Sequence, residues 1–520
     1  MNIDIENLPL DSQSTHKMII ALASKNLLLT AKNESLLEEN QTLQEQLKLL
    51  RAKRFGKSSE KLDKQIFELE TQIEDNEIES SKDDRYAIEG SSKDDNKDRQ
   101  KPKRKKLPDD LPREDHILNP DPECPSCGGT EFRKIGEDSS ELLEYIKSSL
   151  KVIRNIRPRC VCTKCDKIVQ AYAPSNPISK GKAGPGLLSH VLIQKYCNHL
   201  PFYRQSEMFA REGIDISRST MSGWAGQSAK LLELLVDEIK KYILSSTHIH
   251  TDDTPIKVLA PGLGKTKTGR LWTYVKDGRP HGDKSAPAAC YYYSPDRKGA
   301  RPEEHLKNYQ GVLHADAYGG YNNLYPNKDN PDSQISEAAC WAHTRRKFYE
   351  VTIANNNTII ATTVLEQMSD IYKIEANIKG LDPGERLKER QSSSKILVEE
   401  FFKTIEEALT KLPQKGSTAK AIRYALNNKE ALMRFLQDGK IEIDNNAAER
   451  SMRSIALGRK NWMFAGSDNG GNTAAIFYSI IETAKLNNVN PWLYLSKVLT
   501  VMQDYNSKKL ADLLPWNLKL

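Results

Sequence analysis

Leucines recur at strict seven-residue spacing from Leu22 through Leu29, Leu36 and Leu43 to Leu50, the most regular apolar pattern in the chain. That spacing predicts a coiled-coil helix over 18–74, preceded by a flexible N-terminus over 1–17. The facing heptad positions hold Asn26, Asn33, Asn40 and Leu47. An asparagine buried in such a seam must find its mate across the interface, which favours a single register and two strands. A homodimer or higher assembly through this helix is therefore expected. A second seam, Leu62, Ile66, Leu69 and Ile73, follows a break at RFGKSSEK.

From 75 to 107 large apolar side chains nearly vanish, predicting a disordered basic linker. It closes on Lys101 to Lys106, where five of six residues are basic and suited to phosphates. Over 108–178 the pattern turns to short strands around two knuckles, CPSCGG and CTKC. Residues 179–245 read as a helical DNA-binding domain. Within it, RQSEMFAREGIDISRSTMSGWAGQ gives a helix, a turn at Gly213 and a second helix, the layout of a helix-turn-helix. Arg218, Ser219 and Thr220 would start that second helix and meet DNA there.

After 245 the texture changes. THIHTDDTPIKVL, GRLWTYVKD and AACYYYSPD predict a three-stranded meander, followed by a helix around 303–309 and a fourth strand in GVLHADAYGGY. Three strands, a helix and a strand is the order of a ribonuclease-H-like α/β core. Its first part spans 246–351, a helical insertion 352–438, its second part 439–484, and a C-terminal helical tail 485–520. The fold class is thus multidomain α+β: coiled coil, zinc ribbon, helix-turn-helix-like domain, and a core carrying a helical insertion.

Charge changes this picture little, since 77 basic against 70 acidic residues leave a net of only +7. No run of about 18 apolar residues occurs, and MNIDIENLPLDSQ lacks the basic flank and apolar stretch of a secretory signal. A cytoplasmic, nucleoid-associated protein without membrane contact is expected. In that compartment Cys124, Cys127, Cys162 and Cys165 suit a structural Zn²⁺ held by four thiolates better than disulfides. Cys160 adds a fifth nearby thiol.

The candidate chemistry lies in three carboxylates. Asp252 falls on the first strand of the core and Asp316 at the end of the fourth. Glu449 falls on the second turn of a helix that Asp444 or Asn445 can cap, with Arg453 a turn later. Hard oxygen ligands of this kind hold Mg²⁺ (or Mn²⁺) while leaving room for water and phosphate, which suits phosphodiester cleavage and strand transfer on double-stranded DNA. Strand alternation lets only one of Asp252 and Asp253 face such a site. Further residues suited to DNA are His343, Arg345, Arg346 and Lys347, together with Arg453, Arg459 and Lys460; Trp462 offers a ring to stack on an unpaired base. Arg450 belongs to the same basic cluster. Cys340 and His343 have metal-binding spacing, though a pair alone makes no zinc site.

CPSCGG, LPFYRQSEMFAREGIDISRSTMSGW, HTDDTPIKVL, HADAYGGYN, CWAHTRRKF, DNNAAERSMRSIALGRKNWMFAGSDNGG and IETAKLNNVNPWLYL, in this order, resemble a transposase of the insertion-sequence-66 family, whose active site is of the DDE type. The resemblance runs from Arg54 to Trp516. It implies catalysis by Asp252, Asp316 and Glu449, binding to terminal inverted repeats, movement of an insertion element, and accessory proteins of the same element. Asp253 stands where the family usually has glutamate, and Cys160 where an aromatic residue is usual. A non-catalytic DNA-binding regulator derived from a transposase is the alternative class, and metal-dependent nicking of element-end DNA separates the two.

Overall fold

The computed structural model describes residues 175–178, 181–260, 265–328, 330–354, 359–414 and 416–519, with short pieces at 150, 152–153, 159–161 and 168–170. The expected coiled coil and basic linker, and Cys124, Cys127, Cys162 and Cys165 expected to hold zinc, lie outside the described residues. The chain divides into two units. In the smaller, Ser91–Pro174, the described secondary structure is an antiparallel pair, β1 (Arg159–Val161) and β2 (Ile168–Gln170), with Cys160 opposite Val169.

The larger unit is built on a five-stranded sheet. Its strands are β3 (His248–Ala260), β4 (Lys265–Lys276), β5 (Ala288–Ser294), β6 (Gly311–Ala315) and β7 (Ile335–Ala339), in the order β5-β4-β3-β6-β7. The first three form the antiparallel meander, because Gly, Pro and Asp punctuate runs of β-branched and aromatic residues. β6 and β7 then add in parallel beside β3. The helix expected around 303–309 is instead α4, Ala300–His305, since Pro302 is tolerated in a first turn and the helix begins before it. β7 was not foreseen.

Before the sheet come α1 (Pro185–Tyr196), α2 (Phe202–Arg211) and α3 (Arg218–Leu244). The turn between α2 and α3 carries Gly213 at φ 79°, a left-handed conformation that glycine adopts without strain. Ser217 caps α3 by accepting from Thr220 N at 3.1 Å. Leu232, Leu235, Val236, Ile239 and Ile243 of α3 enter the main core with the sheet and the C-terminal helices.

After β7 the chain runs through α5 (Trp341–Ala354), α6 (Ile359–Asn377), α7 (Pro383–Glu389), α8 (Lys395–Leu409), α9 (Ser417–Asn427) and α10 (Lys429–Met433). Val364, Met368 and Ile371 of α6 meet Phe401, Phe402 and Ile405 of α8 in a second core, as helical spacing dictates. Arg386 and Arg390 are buried there, and both reach Glu375, Arg390 Nη2 at 2.6 Å and Arg386 Nη2 at 3.5 Å. α11 (Asn446–Asn461) then returns to the sheet, followed by α12 (Asp468–Leu486) and α13 (Pro491–Val501). Between α11 and α12, Ala465 bridges Val258 at the far end of β3. Among the described residues, no helix is long and apolar enough to cross a membrane.

Candidate active site

Alternation along β3 sorts its side chains onto two faces. On one face His250 Nδ1 meets Asn445 Oδ1 at 3.1 Å and Thr254 accepts from Arg459 Nη1 at 2.7 Å, so this face lies under α11. Asp252, between them in the alternation and half-buried, belongs to it. Asp253 belongs to the other face. Its side chain is 1% exposed and takes Arg297 Nη2 at 2.8 Å, with Arg270 Nη1 at 3.4 Å. The charge pair raises the hold of Arg297 on its proton despite burial. Asp253 is thus committed to an ion pair beneath Tyr318, whose ring centroid lies 3.9 Å from the Arg297 guanidinium carbon.

The parallel register pairs His250 with His314, whose rings stack at 5.0 Å between centroids. Asp252 and Asp316 each stand two residues beyond these partners, Asp252 still on β3 and Asp316 just past the end of β6. The repeated His-x-Asp of HTD and HAD is the sequence signal for this pairing. β6 stops at Ala315, and Ala317 then takes a left-handed φ of 60°, uncommon for a residue with a Cβ. Tyr318 N donates to Asp316 Oδ1 at 3.0 Å, which fixes the carboxylate at the turn.

Glu449 lies in the first turn of α11, one turn earlier than expected. Asn445 precedes the helix, but its side chain does not cap it. Fully buried, it instead donates to Thr251 O at 2.8 Å and meets His250, fastening the start of α11 onto β3 beside Asp252. Asp444 does not cap α11 either; it accepts from Ala342 N at 3.0 Å at the start of α5 and from Tyr372 hydroxyl at 2.7 Å. Burial pushes the Asp444 carboxyl up to about 7. Burial likewise raises the Glu449 carboxyl, against the pull of Arg346, Arg450 and Arg453. Glu449 Oε1 is buried, without a hydrogen-bond partner among the described residues, and lies 3.7 Å from His343 Nδ1. Such an oxygen fits the demand of a divalent cation.

The other residues expected to meet DNA divide into two groups. Arg218, Ser219 and Thr220 are exposed at the start of α3, while Lys460 is exposed at the end of α11. His343, Arg345, Arg346 and Lys347 are half-buried on α5, with Lys347 Nζ 4.6 Å from the Tyr424 ring centroid, and Arg453 is half-buried on α11. Two expectations need correction. Arg459 is buried and donates to Thr254 and to Pro255 O at 2.7 Å, so it locks α11 to β3. Trp462 is 8% exposed, packed against Gly458 and under Lys195 at 5.1 Å, so its ring has no free face to offer a base. A Cβ on residue 458 would meet the indole nitrogen at 2.8 Å, which is why glycine stands there. Exposure passes instead to Met463 and Phe464.

Four stretches match known families: the Transposase IS66 family over residues 180–473, the Transposase C of IS166 homeodomain over 42–115, the zinc-finger binding domain of transposase IS66 over 121–166, and the IS66 C-terminal element over 479–516. Among similar proteins, the uncharacterized protein y4hP of Sinorhizobium fredii (strain NBRC 101917 / NGR234) is 36% identical over 480 residues, 89% of this chain and 86% of that one. Uncharacterized protein y4qI of the same organism is 38% identical over 403 residues, 77% of this chain and 75% of its own.

Proposed function

The chain belongs to the IS66 transposase family, and from that premise we propose that it cuts and joins DNA at the ends of an insertion element using Asp252, Asp316 and Glu449. The observation that supports this reading is the pairing of His250 with His314, two residues before Asp252 and Asp316, with α11 fastened onto β3 beside Asp252. The order β5-β4-β3-β6-β7, with a helix returning after a helical insertion, supports a ribonuclease-H-like core.

The three carboxylates would hold divalent ions, Mg²⁺ or Mn²⁺, which when bound supply Lewis acidity at the phosphate and an activated nucleophile. The chain's own residues do the positioning. Asp252 is carried by a strand hydrogen-bonded on both sides, and Asn445 sets the distance from that strand to the helix bearing Glu449. Arg346, Arg450 and Arg453 surround Glu449 with positive charge, which favours its ionised form and meets the phosphates of an approaching strand. The second helix of the α2–α3 pair, starting at Arg218, would read the terminal inverted repeats. The zinc-finger segment would be closed by Cys124, Cys127, Cys162 and Cys165 around Zn²⁺. Dimerisation through the N-terminal helix would bring two ends together, with proteins of the same element as accessory partners.

The test is cleavage of labelled element-end DNA by the purified full chain in Mg²⁺, compared with Asp316→Ala. Wild type should nick and join, and the variant should bind without nicking. Binding without cleavage by both proteins, in Mg²⁺ and in Mn²⁺, points to a regulator and overturns the catalytic reading. Cleavage without joining indicates a nuclease instead.

A further inference from the structure

Ala315 and Ala339 form the last paired position of β6 and β7, and Cys340 follows β7 directly as Asp316 follows β6. Three residues on, in the first turn of α5, comes His343, and Glu449 faces it from the first turn of α11. One ligand atom from each of Cys340, His343 and Glu449 lies within 4.8 Å of the other two. We propose that these three residues form a second metal site, selective for a thiophilic divalent ion such as Zn²⁺, and that an ion held there withdraws Glu449 from Asp252 and Asp316.

The donor set is one thiol, one imidazole and one carboxylate. Sulfur and nitrogen donors select Zn²⁺ over Mg²⁺, which prefers six oxygens. The spacing is already close to what zinc requires. Two N or O donors on a tetrahedral zinc stand about 3.4 Å apart, and an S and N pair about 3.6 Å. His343 Nδ1 and Glu449 Oε1 are 3.7 Å apart, so closing on an ion takes a few tenths of an ångström there and at most about 1.2 Å for the sulfur. Binding removes the thiol proton to solvent, as thiolate ligation requires.

The surroundings differ from those of a cysteine buried as a small hydrophobe. Cys340 is 2% exposed, yet its Sγ accepts from Asn445 N at 3.2 Å and stands 4.0 Å from Asp444 Oδ1. These contacts fix the sulfur from behind, in the manner of outer-shell partners. The side chains of His343 and Glu449 remain 24% and 20% exposed, so the site lies near solvent although the Nδ1 and Oε1 atoms themselves are buried. Glu449 Oε1 brings a lone pair that no described hydrogen-bond donor occupies.

Only the withdrawal of Glu449 rests on the catalytic reading; the binding of the ion does not. The test therefore has two arms, both on the full chain. In the first, bound zinc is counted after dialysis against Zn²⁺ and removal of excess, for wild type, Cys340→Ser and His343→Ala. Wild type should hold one more ion per chain than either variant, and Co²⁺ in its place should show a sulfur-to-cobalt absorption band that weakens in Cys340→Ser. Equal zinc content in wild type and both variants overturns the proposal. If a variant fails to fold, the wild-type count decides alone, because a single ion per chain is accounted for by the zinc-finger segment and leaves none for this site. In the second arm, micromolar Zn²⁺ is added to the Mg²⁺-dependent cleavage reaction. Wild type should lose at least tenfold of its rate, and Cys340→Ser should lose a smaller fraction of its own rate. An extra ion without inhibition keeps the site and removes its effect on Glu449. Absence of any cleavage concerns the transposase reading and leaves the ion count standing.

Discussion

Replacing Asp252 and Asp253 by asparagine, one at a time, separates the two faces of β3. Asp253 is 1% exposed and balances the Arg297 and Arg270 guanidiniums. Breaking a buried ion pair by removing one partner costs about 3–5 kcal/mol. Two features reduce that figure here: the amide keeps one acceptor oxygen, and Arg297 is 35% exposed and therefore partly solvated. About 2 kcal/mol of lost stability remains for Asp253→Asn. Asp252 is half-buried, and the bond its Oδ1 accepts from Asp253 N at 2.7 Å survives the change to an amide. Asp252→Asn should therefore cost less stability than Asp253→Asn. Urea unfolding measures the first quantity, and cleavage of element-end DNA in Mg²⁺ measures function. The expected pattern is a destabilised chain for Asp253→Asn and a stable chain without cleavage for Asp252→Asn. A stable Asp253→Asn chain that has lost cleavage, beside an Asp252→Asn chain that still cuts, would refute the assignment of faces.

Acid sensitivity should trace in part to His305, which burial against Tyr292, with Lys240 and Arg301 nearby, holds down at about 3. The unfolded chain takes up a proton near pH 6.5 that the folded chain refuses, so stability from this group is present above that pH and is lost as pH falls toward 3. His305→Phe should show a shallower fall in urea midpoint between pH 7 and pH 4, and identical slopes would contradict this. Glu375→Gln strips the buried Arg386 and Arg390 of their shared counter-charge and should cost about 3 kcal/mol, read as a lowered melting temperature. Gly311 holds φ at 137°, and a Cβ there would collide with Thr247 O. Gly311→Ala should cost at least about 2 kcal/mol, and an unchanged melting temperature would sink that reasoning.

Alternation and punctuation spelled out β3, β4 and β5 in the sequence, since each is long enough for its period to emerge. β7 is only ISEAA, a run too short to show a period, and its strand character comes from pairing with β6. The three carboxylates were legible as residues with suitable neighbours. The choice between Asp252 and Asp253 was not, because alternation says that they differ in face but not which face α11 covers. Arg459 and Trp462 read as surface chemistry on composition alone. Only the packing of α11 on β3 reveals that one satisfies Thr254 and Pro255 and the other fills the space beside Gly458. Asn445 read as a cap, and the alternative role of its amide depended on a strand 194 residues away in sequence.

The start of α11 has two moorings. Asn445 ties it to β3, while Asp444, the residue before, is held by Tyr372 of the helical insertion, and Ile443 O accepts from Trp341 N at 3.1 Å. Asp252 rides on the sheet, while Asp316 follows β6 and its backbone carbonyl accepts from the Tyr424 hydroxyl of the insertion at 3.3 Å. A load applied to α6 therefore pulls on the start of α11 and on Glu449 in its first turn. Whatever grips the insertion from outside has a mechanical handle on the position of Glu449.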